Sequence, residues 1–382
     1  MYRFYEFFAG GGMARAGLGA GWECLFANDI DPKKSRIYRY NWDGGRELRT
    51  CDVSALDPKD IPGIANLVWA SFPCQDLSLA GSGAGLSGKR SGTFWPFWNL
   101  LLGLKDENRA PRVVVLENVC GVITSHDGRD FSAICGAFHA AGYRVGALVL
   151  DAALFVPQSR PRLFFVGVRS DGAFPEGLTE NGPVAPWHSN SLQAAYEKLP
   201  LHIQQIWTWW TMPAPEKRKT KLADVVEENP VDSQWFSETR TGELLRMMSE
   251  VNRAKVMDAM LAGRRMVGTV YKRTRADASG CRLQRAEIRF DGVSGCLRTP
   301  AGGSSRQVIV VVDGRSIRAR LISSRETARL MGLPESYQLP ENYNEAYHLT
   351  GDGVVVPVVR YLAEHLLEPL VANAERKVTV AA

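Results

Sequence analysis

No run of about eighteen consecutive apolar residues occurs in this 382-residue chain, which argues against a membrane-spanning helix. The opening MYRFYEFFAGGG has no basic segment leading into a long apolar core, so no secretory leader is expected. Cysteine is sparse, and the seven present are scattered, with no CxxC pair and no metal-ligand spacing. An odd, dispersed set argues against a disulfide framework or a bound metal and fits reduced thiols in a cytosol. The glycine run after the first apolar segment, Gly10-Gly11-Gly12, is not GxGxxG, which turns the reading away from a dinucleotide site. Internal repeats and low-complexity tracts are absent too. What remains, 45% hydrophobic and 23% charged, is the composition of a folded globular protein.

Charge is unevenly spread. Residues 246–320 hold sixteen Arg or Lys against six Asp or Glu, while the whole chain is only +5. Most of the sixteen are Arg, whose planar fork suits phosphate and guanine edges. A basic segment on an otherwise acidic body is the footprint of a nucleic-acid binder, although a solvated surface would look alike from charge alone.

The first 170 residues alternate short apolar runs with helical patterns, the order of a parallel α/β sheet. Strands are predicted at Tyr2–Phe8, Glu23–Ala27, Leu67–Ser71, Arg112–Leu116, Arg144–Leu150 and Leu163–Val168. Near Asp171 the pattern gives way to Gly, Pro and Asn, which marks a boundary. Beyond it the periodicity is irregular to about residue 320, apart from a helical stretch at Gly242–Ala262. Trp207, Trp209 and Trp210 read as core. Further helices are predicted at Ser324–Met331 and Val355–Leu367.

Four strand ends carry chemistry. After the first strand comes Phe8-Ala9-Gly10-Gly11-Gly12, a turn whose glycines admit a close ligand and whose following helix start favours an anionic group. The second strand ends in Asn28-Asp29-Ile30-Asp31, where a carboxylate can accept ribose hydroxyls. Another runs into Pro73-Cys74-Gln75, followed by a Gly/Ser-rich segment resembling a lid. A thiolate at a strand end is a nucleophile in waiting, though a lone cysteine is more often packing. Glu117-Asn118-Val119 then sets a carboxylate at the next strand end, and Gln158-Ser159-Arg160-Pro161-Arg162 presents two guanidiniums. A thiol, an acid and paired arginines together suit attack on an electron-poor heterocycle.

At these motifs the chain resembles the DNA (cytosine-5)-methyltransferases of the compact bacterial or phage type. The likeness continues through Arg325-Glu326-Thr327-Ala328-Arg329-Leu330-Met331-Gly332 and Gly351-Asp352-Gly353-Val354-Val355-Val356-Pro357, leaving out only roughly Asp171–Arg289. It implies a Rossmann-like S-adenosylmethionine-dependent α/β catalytic domain, residues 1–180 completed by 346–382. A smaller, irregular target-recognition domain would span 181–345. It further implies Cys74, Glu117, Arg160 and Arg162 as catalytic residues. The cofactor would be held by Phe8, Ala9, Gly10, Gly11, Gly12, Asp29, Ile30, Asp52, Val53, Pro73, Asp352, Gly353 and Val354. Gln75, Ser78, Asn118, Arg264, Arg265, Lys272, Arg273, Arg298 and Thr299 would meet DNA. The family's first motif usually has a further glycine where Met13 stands, and its last has Asn-Ser where Asp352-Gly353 stands. Those departures bear on cofactor contacts, not on the activity class. The implied partners are double-stranded DNA and a cognate restriction endonuclease, for a monomer working without membrane or metal in the bacterial cytoplasm, at the nucleoid.

Three other readings compete with this one. An RNA cytosine-5 methyltransferase would carry a Cys-Phe-Thr element in the recognition region, which is absent here. A catalytically silent DNA-binding homologue usually loses at least one of the four catalytic residues. A nucleotide-binding oxidoreductase has only the glycine turn in its favour.

Overall fold

The computed structural model describes residues 1–73, 91–170, 174–276, 280, 282–298 and 306–373. The chain divides into two compact units: 1–151 with 161–216 and 354–382, and 152–160 with 217–353. The first unit runs on past residue 180 to Glu216, and tryptophans hold that stretch in place. The stretch after residue 180 is fastened to the first unit's sheet, with Val149 N–H donating to the Trp187 carbonyl at 2.8 Å and the Trp210 indole to Val166 at 3.0 Å. Trp187, Trp207, Trp209 and Trp210 are all buried.

The first unit is built on strands β1 (Tyr2–Phe7), β2 (Trp22–Asp29), β3 (Leu48–Thr50), β4 (Leu67–Ala70), β5 (Val113–Val119), β6 (Tyr143–Asp151) and β7 (Pro161–Arg169). They lie in the order β3-β2-β1-β4-β5-β7-β6, with β7 antiparallel to both neighbours and the remaining pairs parallel. The near-continuous apolar run of β5, buried from Val113 to Asn118, is what a strand covered on both faces requires. The six predicted strands are present, within a few residues at their ends. The short edge strand β3 was not predicted, because LRT is mostly polar and only Leu48 is buried. Order reverses beside β1, whose neighbours are β2 and β4. Open α/β sheets bind ligands at such a switch point, off the carboxyl ends of the strands.

Helices α1 (Met13–Leu18), α2 (Pro32–Asn41), α3 (Phe94–Asp106) and α4 (Arg129–Ala140) follow these strands. A β-strand pair, β8 (Thr179–Glu180) and β9 (Trp209–Trp210), brackets helices α5 (Asn190–Glu197) and α6 (Leu201–Gln204). The chain then leaves for the second unit and returns at Val354. Gly17 on α1 sets how closely the returning segment packs. A β-carbon there would lie 2.3 Å from Cβ of Val359 and 2.8 Å from the Val356 carbonyl. Gly17→Ala is therefore expected to cost about 1–3 kcal/mol. Gly21→Ala, where a β-carbon meets nothing within 4 Å, should change urea stability by under about 0.5 kcal/mol. Equal losses in the two variants would refute the close-packing argument.

The second unit is more regular than its sequence promised. Its strands β10 (Met266–Ala276), β11 (Arg282–Arg289), β12 (Val308–Asp313) and β13 (Ser316–Leu321) form an antiparallel sheet in the order β11-β10-β12-β13. Val270, Ala286, Ile288, Val308, Val310 and Val312 pack with Leu244, Met248 and Val256. Arginines, lysine and threonines interrupt the alternation of β10 and β11, which hides the strand period from a sequence reading. After the short α7 (Leu222–Val225), the single helical stretch predicted at Gly242–Ala262 is two helices, α8 (Glu238–Arg246) and α9 (Glu250–Leu261), parted at Met247–Ser249. Helix α10 (Ser324–Leu330) opens with a capping box, and its Glu326 pairs with Arg320, both fully buried. Glu326 also accepts the amides of Ser323 at 2.7 Å and Glu227 at 2.6 Å, so the charge is compensated where it lies. Helix α11 (Tyr343–Asp352) completes this unit, and α12 (Val356–Leu362) belongs to the first.

Candidate active site

The glycine turn leaves β1 at its carboxyl end and is tied to the neighbouring strand. Ala9 N–H donates to the Asn28 carbonyl at 2.9 Å, and Gly10 N–H donates to one Asp29 carboxylate oxygen at 2.8 Å. The other Asp29 oxygen accepts from Asp31 N–H, also at 2.8 Å. Asp29 is thus part of the wall of the turn, and burial pushes its carboxyl up from the ordinary aspartate value. Phe8 adopts φ 57, rare for a non-glycine, with its ring 6.2 Å from Phe97. Met13 is a buried residue of α1 outside the left-handed region, so the glycine missing there has no backbone duty to perform.

Whether these residues fit S-adenosylmethionine can be tested on the turn itself. A β-carbon on Gly10 would meet nothing within 4 Å, so the turn opens onto space that a side chain would fill. Ile30, at the end of β2, is 64% exposed, an apolar surface for a ring. Asp52 uses one carboxylate oxygen for the Ser54 amide and hydroxyl, at 2.8 and 2.7 Å, and these bonds lower its pKa. Beside it Val53 is buried. The donor set fits the group. Asp352 is exposed and Gly353 half-buried in the second unit, while Val354 is buried in the first.

Two strands along, β5 and β7 bring an acid and a base together. Val119 pairs in register with Arg162, and Arg162 Nε lies 3.2 Å from Glu117 Oε1. The two side chains are only 15% and 7% exposed, so the pair is held largely out of water. Next to Glu117, the Asn118 amide donates to the Phe72 carbonyl at 3.1 Å. That bond fastens the exit of β4, through Phe72 and Pro73, to the strand that carries Glu117. Cys74, Gln75 and Ser78 lie outside the described residues.

Arg160 stands elsewhere. It is 2% exposed, and its guanidinium donates to the carbonyls of Leu297 at 2.9 Å, Gly351 at 2.9 Å and Gly353 at 2.7 Å. Gln158 works alongside it, donating to the Leu330 carbonyl at 2.8 Å and accepting from Leu297 N–H at 3.0 Å. This half of the paired-arginine motif stitches three distant segments of the second unit, whereas Arg162 sits with Glu117 in the first.

Of the residues expected to meet DNA, Arg264, Arg265 and Arg298 are exposed. Arg265 lies 3.2 Å from Glu228, which also holds Arg318. Lys272 and Arg273 sit half-buried on β10, with Arg273 over the Tyr271 ring at 4.3 Å and 3.6 Å from Glu287. Thr299 lies outside the described residues. No helix among the described residues is long and apolar enough to cross a membrane, and no cluster among them could hold a metal ion.

The sequence reading passed over Glu6, Arg15 and Trp42. A glutamate inside the apolar run YRFYEFF was the available signal. Glu6 is 1% exposed, and burial drives its carboxyl from 4.5 up to about 8 despite the nearby Arg15. Between those values the unfolded chain is ionised while the folded chain keeps its proton. Its contribution to stability is complete below pH 4.5 and is lost as pH rises through about 8. Glu6→Gln should flatten this decline when urea midpoints are compared at several pH values. Parallel slopes for variant and wild type would count against it.

Comparison with known proteins follows the same lines. The family model of the C-5 cytosine-specific DNA methylases matches residues 2–368. The Type II methyltransferase M.NlaX of Neisseria lactamica is 27% identical across 99% of this chain and all of its own length. The Type II methyltransferase M.HhaI of Haemophilus parahaemolyticus is 24% identical, covering 95% of this chain and 94% of that one. In fold, the chain is similar to the crystal structure of the S. pombe Dnmt2 methyltransferase. The TM-score is 0.59 at 19% identity, over 97% of this chain and 99% of the other.

Proposed function

Because the chain belongs to the C-5 cytosine-specific DNA methylase family, we propose that it methylates carbon 5 of a flipped-out cytosine in a specific duplex site, with S-adenosylmethionine as donor. The observation that carries this reading is the Glu117–Arg162 pair, set at the end of β5 beside the anchored exit of β4 that leads into Cys74. Its biological setting is the modification half of a restriction–modification pair, in the bacterial cytoplasm.

Carbon 5 of cytosine becomes nucleophilic only when the ring gains electrons. The Cys74 thiolate adds to carbon 6, forming an S–C bond and pushing charge into the ring. Glu117 bonds the ring N3 and exocyclic amine, favouring protonation at N3 as that charge develops. Arg162 holds Glu117 in place and offers donors to the base, while Arg160 positions the backbone of its own unit. When bound, S-adenosylmethionine supplies the electrophilic methyl group. The turn from Phe8 to Gly12 with Ile30, Asp52 and Val53 would hold it. Loss of the carbon 5 proton then re-forms the ring double bond and expels Cys74. Such geometry is impossible within a stacked duplex, so the base must swing out, at a cost of about a few kcal/mol. Arg264, Arg273, Lys272 and Arg298 are the groups proposed to hold the DNA.

The test is tritium transfer from labelled S-adenosylmethionine to mixed-sequence duplex DNA, followed by mapping of 5-methylcytosine. Label at carbon 5 in one recurrent sequence is the expected result. Label in structured RNA and none in duplex DNA would replace this reading with an RNA enzyme.

A further inference from the structure

The glycine turn is held from beneath as well as from β2, by side chains outside every motif recognised above. Trp42, at the carboxyl end of α2, donates its indole N–H to the Gly11 carbonyl at 3.2 Å. The same peptide's other end is held too, since Gly12 N–H donates to the Ala9 carbonyl at 2.8 Å. The indole is pressed against the turn: a β-carbon on Gly12 would stand 2.2 Å from Nε1, and Gly12 sits at φ 78. Arg15 lies over the Trp42 ring, its guanidinium carbon 4.6 Å from the centroid. Arg15 is fixed in turn by the Tyr38 hydroxyl at 2.9 Å and by Glu47, with Tyr38 also donating to Glu47 at 3.0 Å.

We propose that Trp42, braced by Arg15, is a positioning residue for the cofactor turn, fixing the Gly11–Gly12 peptide so that the turn is preorganised for S-adenosylmethionine. The proposal rests on the reading of that turn as the cofactor site. A free turn of three consecutive glycines would sample many backbone states, and ordering it on binding would weaken affinity. Asp29 restrains its first amide, and Trp42 restrains its second and third residues. The consequence is confined to cofactor affinity, because Trp42 and Arg15 lie on the α1/α2 side of β1 and β2, away from Glu117 and Arg162 on β5 and β7.

The experiment is calorimetric binding of S-adenosylmethionine and S-adenosylhomocysteine to wild type, Trp42→Phe and Trp42→Ala, alongside steady-state kinetics. Trp42→Phe keeps an aromatic ring but loses the pyrrole portion with its N–H, and should weaken both ligands about fivefold. Trp42→Ala should weaken them at least about tenfold. In both variants KM for the cofactor should rise in step, while kcat at saturation and DNA affinity stay within about twofold. Gly12→Ala should also cost less cofactor affinity in the Trp42→Ala background than alone, because the crowding is gone. Unchanged cofactor affinity in Trp42→Phe, or a fall in kcat with affinity intact, overturns the proposal even if Trp42→Ala does not fold. A wild-type protein that binds neither ligand overturns the cofactor reading, and this inference with it.

Discussion

Cys74→Ala should abolish methyl transfer, a loss of about 10⁴-fold or more, while leaving cofactor and DNA binding largely intact. The reason is chemical. Without a nucleophile at carbon 6, carbon 5 stays electron-poor, and no amount of positioning by Glu117 or Arg162 substitutes for the missing bond. A duplex containing 5-fluorocytosine makes the argument visible, because fluorine cannot leave carbon 5 as a proton does, and the adduct is trapped. Wild type should yield a denaturation-resistant band whose mass places DNA on Cys74, and the variant should yield none. A band of undiminished intensity in Cys74→Ala would assign the nucleophile to another residue. No band in either protein, with tight DNA binding retained, would favour a silent homologue.

Glu117→Gln should lower kcat by about 10²- to 10⁴-fold with a much smaller effect on KM for DNA. Glutamine keeps the shape beside Arg162 but cannot favour protonation of N3 as charge develops in the ring. The residue is 6% exposed and lies 3.2 Å from Arg162, so Glu117→Ala would open a cavity and remove the carboxylate facing a largely enclosed guanidinium, which confuses catalysis with folding. Arg162→Lys is the informative companion, since it retains charge and loses the planar fork. If the two residues act as one unit, the double variant should be little slower than the worse single variant. Strictly additive losses would separate their roles. Equal losses in kcat and in DNA affinity for Glu117→Gln would recast the residue as a binding group.

Much of the first unit was legible because a buried parallel strand has to be written in apolar letters. Val113 to Leu116 could hardly be anything else, and the glycine turn and Glu117 sit at ends that such strands define. The four-stranded sheet of the second unit was illegible for the converse reason. Its β10 and β11 carry arginine, lysine and threonine along with Val270 and Ile288, so a period of two is visible on only part of each strand. The tryptophans were readable as core, but their allegiance was not. Which sheet Trp187 and Trp210 join depends on hydrogen bonds to Val149 and Val166, distant in sequence.

By itself, the sequence determined the order of the strands' chemistry: a glycine turn, an aspartate, a Pro-Cys-Gln and a Glu-Asn-Val, each at the end of an apolar run. Local pattern suffices there, because strand ends are where an apolar period stops. Only the tertiary structure decided what each polar group does. Arg160 and Arg162 are two residues apart and look alike on paper, yet one is sunk among the carbonyls of Leu297, Gly351 and Gly353 and the other faces Glu117. Asp29 turns its oxygens to Gly10 and Asp31, and Trp42 reaches back 31 positions to Gly11. A buried charge or donor must find its partner wherever the fold brings one within about 3 Å. That proximity belongs to packing, which local sequence does not contain.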